Sequence, residues 1–370
     1  MSDGPTVTSS TLPPLADLVL LWRRLEAHGS TSFFVAWPWI GTWLETLPPT
    51  IAPRLLRLER AGICEGAAIA TRNNSRRHGL IAARGLHLNA TGDRSLDCLT
   101  IEHNGFVGCG TDRYHGWRAL QEWFFSGGID ADELDLPGVT DDITLGRFGS
   151  DRLEHGFRVE LAQVRAGKGK IGAILSANAR QQMNSSMRAL ATNGPIFLET
   201  AGTVGQALAF FDQLKQFHIR SWTRRGRRHA FASPFFERFH RALIGRGVEA
   251  GNVELLRLSA GGTAFGYLYN FCWNGHVYAY QSGFDDSNNR LRPGYIAHAL
   301  AIERHSAAGA ADYDFMAGTN RLKESFSTER YDMHWYTIRR PLLRFLAEQA
   351  ARAAKSRFLD PLRARSGKVA

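Results

Sequence analysis

Asn252-Val-Glu-Leu-Leu-Arg-Leu258, Phe265-Gly-Tyr-Leu-Tyr-Asn-Phe-Cys272 and Val277-Tyr-Ala-Tyr280 are three apolar, aromatic and β-branched runs, separated by Ala260-Gly-Gly262 and Asn274-Gly275. Runs of this kind punctuated by Gly-Gly and Asn-Gly predict a three-strand antiparallel meander. Phe284-Asp-Asp then leads into Asn289-Arg-Leu-Arg-Pro-Gly-Tyr295, a basic turn entering a helical run from Ile296 to Ala308. Gly309 stops the helix, and Tyr313-Asp-Phe-Met316 reads as one more strand before Gly318-Thr-Asn-Arg-Leu-Lys323. A basic turn at a helix start is suited to an anion, because free backbone N–H groups and the helix dipole point at it. Gly251 to Lys323 is therefore read as a compact ligand-binding unit.

Tyr280-Gln-Ser-Gly-Phe-Asp285, Arg292-Pro-Gly294, Asp314-Phe315, Gly318 and Lys323 together resemble the C-terminal core of GNAT-superfamily acyltransferases. The group most similar is the CelD-type (BioF2-like) acetyltransferases associated with cellulose biosynthesis. Leu175 to Asn184 and Phe239-His240 extend the resemblance over about Ser176 to Phe326, with a weaker echo at Phe33 to Leu47. In such folds a splayed strand pair takes the pantetheine arm, and the next helix N-terminus takes the pyrophosphate. The resemblance implies acyl transfer from acetyl-CoA or another acyl-CoA, or from an acyl carrier protein, to an amine or hydroxyl, with no metal. It places the donor at Asn289, Arg290, Leu291, Arg292, Pro293, Gly294 and Tyr295. It makes the acceptor a small molecule or a glycan or lipid precursor of exopolysaccharide or envelope metabolism. This chain departs from the familiar loop pattern, since Arg292 stands where many of the group have Ser. An aminoacyl-tRNA-dependent, FemAB-like transferase and a non-catalytic component of a polysaccharide machinery are the competing readings.

Thioester acyl transfer needs a held nucleophile, a proton acceptor and stabilisation of the oxyanion and thiolate. Asp314 sits mid-strand, where a carboxylate is costly unless paired or functional. Lys323 is the expected partner across the acceptor end of the pocket, either as a structural ion pair or as a stabiliser of developing negative charge. Tyr280 is read as a general acid or a core aromatic. His298 and His305 are read as structural.

The chain has 370 residues, 44% hydrophobic and 22% charged, which suits two globular domains. No apolar run approaches the ~20 residues of a membrane span, and the N-terminus lacks the order of a secretory signal, so a cytoplasmic protein is expected. Cys64, Cys98, Cys109 and Cys272 show no C-x-x-C spacing, which argues against structural zinc or a disulfide framework. Of the net charge of +10, +7 lies in Arg339 to Ala370. That segment is read as a solvated helix, Leu342 to Phe358, with a frayed end; peripheral contact with acidic lipid is its alternative role.

The fold class expected is α/β (α+β): tandem GNAT-like domains with a mixed, largely antiparallel central sheet flanked by helices. Residues 1–14 are expected to be disordered, 15–150 to form a smaller GNAT-like domain, 151–338 the acyltransferase domain and 339–370 a basic tail. In the first domain, Trp37, Trp39 and Trp43 are assigned to anchoring a helix on a sheet rather than to stacking sugars or bases. Leu99-Thr-Ile101 is expected as a strand. The acidic stretch Gly127 to Gly149 lacks the order of a calcium loop and is expected to be an exposed connection. Ala166 to Gly172 lacks the spacing of a phosphate loop. The loop Arg220 to Arg228 is basic and carries Trp222, but is assigned to the fold rather than to nucleic acid.

Overall fold

The computed structural model describes residues 4–29, 31–109, 113–146, 148–288 and 290–350. Its strands are β1 (Thr6–Thr11), β2 (Arg54–Arg60), β3 (Ile63–Arg77), β4 (Ile81–Leu88), β5 (Val107–Gly108), β6 (Glu133–Val139), β7 (Ser150–Glu160), β8 (Ile196–Thr200), β9 (Val253–Ala260), β10 (Thr263–Trp273), β11 (His276–Phe284), β12 (Asp312–Ala317) and β13 (Glu329–Arg339). The helices are α1 (Leu15–Glu26), α2 (Trp37–Thr46), α3 (Arg113–Phe125), α4 (Leu161–Ala166), α5 (Ala177–Ala191), α6 (Val204–Arg224), α7 (Pro234–Gly247), α8 (Pro293–Ala307) and α9 (Arg321–Phe326). Residues 343–350 are also helical. No helix among the described residues is long and apolar enough to cross a membrane.

All the strands join one sheet, in the order β1-β2-β3-β4-β6-β13-β7-β12-β11-β10-β9-β8, with β5 on β3. The order reads as two copies of one plan. In each half an antiparallel meander ends in a parallel pair, β4 with β6 and β11 with β12. The halves then exchange strands. β13, last in the chain, pairs with β6 of the first half, while β7 pairs with β12 of the second. β7 and β13 close the sheet against each other from Glu329↔Arg158 to Thr337↔Ser150. Both are densely charged, and they tolerate it through cross-strand pairs: Arg158 with Glu329 at 2.7 Å, His155 with Asp332 at 2.9 Å, and His334 with Asp151 at 2.8 Å.

Four sequence expectations change. Residues 6–11, placed in a disordered terminus, form β1 against β2. The acidic stretch expected as an exposed connection contains β6, a central strand whose Leu134, Leu136 and Val139 are fully buried. Leu99 ends a short 3-10 helix at Asp97–Leu99 and residues 100–101 are irregular, so Leu99-Thr-Ile101 is not a strand. The C-terminal helix docks rather than being solvated: Phe345 is buried, and Glu348 pairs with Arg77 at 2.9 Å. Residues 351–370, which hold most of the basic tail, lie outside the described residues.

The largest core cluster spans both halves. Phe33 stacks on Phe271 of β10 with ring centroids 4.4 Å apart, and Trp39 of α2 meets Phe239 of α7 at 4.7 Å. Trp39 and Trp43 are almost wholly buried, so these tryptophans anchor α2. Aromatic pairs of this kind add roughly 0.5–1.5 kcal/mol each beyond the area they bury.

Candidate active site

β11 and β12 pair only from His276↔Asp312 to Tyr278↔Asp314. Beyond that point they part, and a cleft of about 840 Å³ opens between them. A bulge sets the divergence: Tyr269 faces Gln281 and Asn270 faces Ala279, so Tyr280 is an extra residue on β11. α6 covers one wall closely enough that a Cβ at Gly283 would lie 2.4 Å from the Leu214 carbonyl. At the mouth, Arg292 takes a left-handed conformation (φ 43°) as the N-cap of α8, and Pro293 occupies the first turn. The Arg292 guanidinium donates to Gln182 Oε1 at 2.6 Å and lies over the Tyr295 ring. Arg225 and Arg321 also line this cleft.

His218 of α6 marks the interior. Its Nδ1–H donates to the Ser282 carbonyl at 3.2 Å, which leaves Nε2 an acceptor, buried and without a partner among the described residues. Burial lowers its pKa to about 4, so the ring stays neutral at neutral pH.

At its inner end the cleft meets a second one, of about 760 Å³, in the first half of the molecule. Three residues line both: Thr100, Glu102 and Ala317. The backbone here is strained: Thr100 (φ 51°), His103 (φ 51°) and Met316 (φ 66°) all occupy the left-handed region. Such conformations cost on the order of 1–3 kcal/mol each and cluster at functional sites. The kink at Met316 turns the Ala317 N–H to Glu102 Oε2, at 2.8 Å. The carbonyls of Met316 and Ala317 accept from Lys323 Nζ, at 3.0 and 2.6 Å. Burial raises the Glu102 pKa, opposed by the Ala317 N–H, His103 and Lys323. Burial lowers that of Lys323, opposed by Glu102 and Asp314.

Residues 177–324 match the family model of the acetyltransferase (GNAT) domain. No curated protein matches the chain in sequence. A crystal structure of FemX is similar over 88% of this chain and 96% of that one, with a TM-score of 0.56 and 11% identity. The C-terminal domain described as that of a lysylphosphatidylglycerol synthetase from Agrobacterium fabrum is similar over 91% and 96%, at TM-score 0.51 and 9% identity. A conserved protein of unknown function from Bacteroides thetaiotaomicron gives 0.55 and 10%, over 90% of this chain and all of that one. The match covers 148 of the 370 residues and marks 177–324 as similar to a GNAT-type domain. At these identities the solved structures show likeness of fold alone, and that likeness runs through both halves.

Within residues 177–324 the sequence-predicted residues separate. Arg292, Gly294 and Tyr295 line the cleft, whereas Arg290, Leu291 and Pro293 do not, and Asn289 lies outside the described residues. Lys323 lines the cleft, but the expected Asp314–Lys323 ion pair does not form. Asp314 lies behind the cleft, 2% exposed, and accepts from Tyr331 Oη (2.8 Å), the Met316 N–H (2.7 Å) and His103 Nε2 (3.0 Å). Burial pushes the Asp314 pKa up, and these partners more than offset it, holding it below the usual carboxylate range. The Tyr280 ring lines the cleft while its hydroxyl is committed, donating to the Leu99 carbonyl and accepting from His240 Nε2 at 3.2 Å. His298 bonds Tyr313 Oη at 2.9 Å, and His305 bonds Glu254 at 2.9 Å. Glu254, Cys272 and His305 are the one cluster of potential metal ligands among the described residues, and its Glu and His already bond each other.

Sequence reading missed Glu102, His103 and His218. Glu102 and His103 sit in Ile101-Glu-His-Asn-Gly105, where no local pattern marks them as buried. His218 falls on an amphipathic helix, where nothing distinguishes it from a core histidine.

Proposed function

We propose that the chain is an acyltransferase whose acyl-CoA donor lies in the cleft between β11 and β12, with an amine or hydroxyl as acceptor. The observation that carries this reading is the diverging strand pair leading to the N-terminus of α8, with Arg292 at its mouth. Arg225, Arg292 and Arg321 suit the donor's phosphates, each charge-assisted contact contributing roughly 1.5–3 kcal/mol. The unpaired, buried His218 Nε2 is an acceptor that an amide N–H of the pantetheine arm would satisfy. Lys323 uses two N–H groups on the carbonyls of β12; the third is available to a developing oxyanion or thiolate. Asp314, through His103 and Tyr331, holds the strained loop and β12 in register and acts as a positioning residue. The family resemblance favours acetyl-CoA and a glycan precursor of cellulose or envelope metabolism as the substrates.

The test is calorimetry with CoA and acetyl-CoA on the full chain, with thiol release followed in the presence of amine and hydroxyl acceptors. Binding near one donor per chain and acceptor-dependent thiol release are expected. Absence of any CoA binding would overturn the reading.

A further inference from the structure

The second cleft lies on the far side of Glu102 from the donor. Trp39, Trp43 and Trp335 supply its apolar wall, and Arg94, Arg152, Asp97, Asp135 and Glu154 its charge. Arg152 is occupied by Glu154 and by the Trp335 ring, 4.0 Å away. Counting Glu102, four carboxylates and two guanidiniums line the cleft; Asp135 is also paired with His87 at 3.1 Å, and Asp97 accepts from Thr91 and Gly92, so the lining is rich in acceptors for a cation. Among the described residues, it meets the donor cleft at Thr100, Glu102 and Ala317. The Glu102 carboxylate is buried there, and its single hydrogen bond among the described residues is the one from Ala317 N–H through Oε2. A buried carboxylate so lightly bonded is an unusual expense for a purely structural group.

We infer that the second cleft admits the acceptor, a primary amine entering as its ammonium, and that Glu102 is the general base taking the proton from the attacking nitrogen. The inference rests on the acyl-CoA reading above. The ammonium first releases one proton to water by way of Glu102. The nitrogen lone pair attacks the thioester carbonyl carbon and forms the N–C bond, and the second proton passes to Glu102. The C–S bond then breaks, and the departing thiolate takes that proton from Glu102. The balance is ammonium plus thioester giving amide, thiol and one proton. Thr100 and Met316, held in left-handed conformations, fix the two strands of backbone between which the nitrogen passes. A burial-raised carboxyl suits proton acceptance from an amine near neutral pH. The charged and titratable groups acting on or sharing the field of Glu102 are His103 on its own loop, Lys323 on α9, Asp314 on β12, Tyr280 on β11 and Tyr331 on β13.

The experiment compares wild type, Glu102→Gln and Pro137→Trp with acetyl-CoA and a panel of primary amines, amino sugars and amino acids included. Gln keeps an oxygen for the Ala317 N–H, so the loop is retained. Pro137→Trp adds bulk to the second cleft, away from the donor. Glu102→Gln is expected to lose ~10²–10⁴-fold in kcat/KM for the amine, with CoA affinity within about twofold of wild type. The acid limb of the pH profile, calculated on unprotonated amine, should disappear with it. Pro137→Trp is expected to raise the amine KM by at least about tenfold at unchanged CoA affinity. If wild type acetylates an amine while Glu102→Gln matches it with its acid limb intact, the base assignment is wrong and the acyl-CoA reading stands. If Pro137→Trp is kinetically silent, the second cleft is not the acceptor's route. If wild type binds CoA and acetylates only hydroxyls, the amine class is wrong. If wild type binds no CoA, the underlying reading fails instead.

Discussion

The two parallel pairs of the sheet begin alike and end differently. β4 and β6 pair at three positions, Gly85↔Glu133 to His87↔Asp135, and then part, as β11 and β12 do. In the first half a single residue wedges the gap where it opens. Asn104 bridges the divergence, its backbone N–H donating to the Gly138 carbonyl at 2.8 Å and its side-chain Nδ2 to the Leu88 carbonyl at 2.9 Å. The approach is so close that a Cβ at Gly138 would lie 2.2 Å from the Ile101 carbonyl. In the second half the described residues after β11, 285–288 and 290–292, pass directly to α8 and the gap stays open; in the first, residues 89–109 leave β4 by way of the gap. The same longer connection carries Leu99, Glu102 and His103 to β11 and β12. One half has thus wedged the start of its own divergence with Asn104 and supplies part of the other's cleft.

The wedge gives the largest expected effect. Asn104→Ala removes bonds to Leu88 O, Asn89 Nδ2 and Gly105 N, all buried. At roughly 1–3 kcal/mol for each orphaned group, a loss of about 3–5 kcal/mol is expected in urea unfolding. CoA stoichiometry should remain at one per chain if the wedge is more than a plug. A second molecule of CoA bound by a folded Asn104→Ala protein would mean that the halves are equivalent but for this side chain.

Next is Lys323→Met. The variant keeps the bulk of the stem but loses the ammonium between two carbonyls and Glu102. Turnover should fall ~10²-fold, the usual scale for an electrostatic contact to a developing charge. Because the Lys323 cation lowers the Glu102 pKa, its removal should raise that pKa and move the acid limb of the profile to higher pH. A folded, fully active variant, or an acid limb that moves down, would remove Lys323 from the site.

How much of this was legible in the sequence follows from what each region is made of. Meander strands β9 to β11 alternate apolar stretches with Gly-Gly and Asn-Gly turns, so they and α8 could be read from local pattern. β6, β7 and β13 could not. Glu133, Asp135, Arg158, Glu329 and Asp332 look like solvent-facing charge until their partners across the sheet are known. The strand exchange that unites the halves pairs residues about 170 positions apart, such as Arg158 with Glu329, and no local signal reports it. Half the site was legible for the same reason. Arg292 and Lys323 lie in the readable stretch, whereas Glu102 reaches the site from the other half of the chain. The expected Asp314–Lys323 pair failed because both residues found partners that spacing alone cannot reveal.

Arg292 and Arg290 sharpen the open half. Arg292 lines the cleft and Arg290 does not. Arg292→Ala should weaken donor binding by roughly 1.5–3 kcal/mol, about 10- to 150-fold, while Arg290→Ala should change it less than about twofold. Equal effects from the two would mean that the phosphates are held by diffuse charge on the loop rather than at the mouth of the cleft.

The smallest effect at neutral pH is expected of His218→Phe, which keeps a ring against Trp222 and Phe231 but removes a buried acceptor that is unpaired among the described residues of the donor cleft. A neutral hydrogen bond contributes roughly 0.5–1.5 kcal/mol, so the donor Kd should rise about 2- to 10-fold. The pH dependence of stability supplies a second, independent reading. The folded pKa is about 4, against 6.5 for the ordinary imidazole, so between these values the unfolded chain binds the proton and the folded one does not. Stability must therefore fall as pH drops from 6.5 towards 4, and the loss is complete only below the folded value. His298, depressed to about 3, and His240 add to the same acid loss, so the variant should flatten the slope without abolishing it. An unchanged slope would mean that His218 takes up its proton alike in the folded and unfolded chain, so that burial in the cleft does not hold its ring neutral.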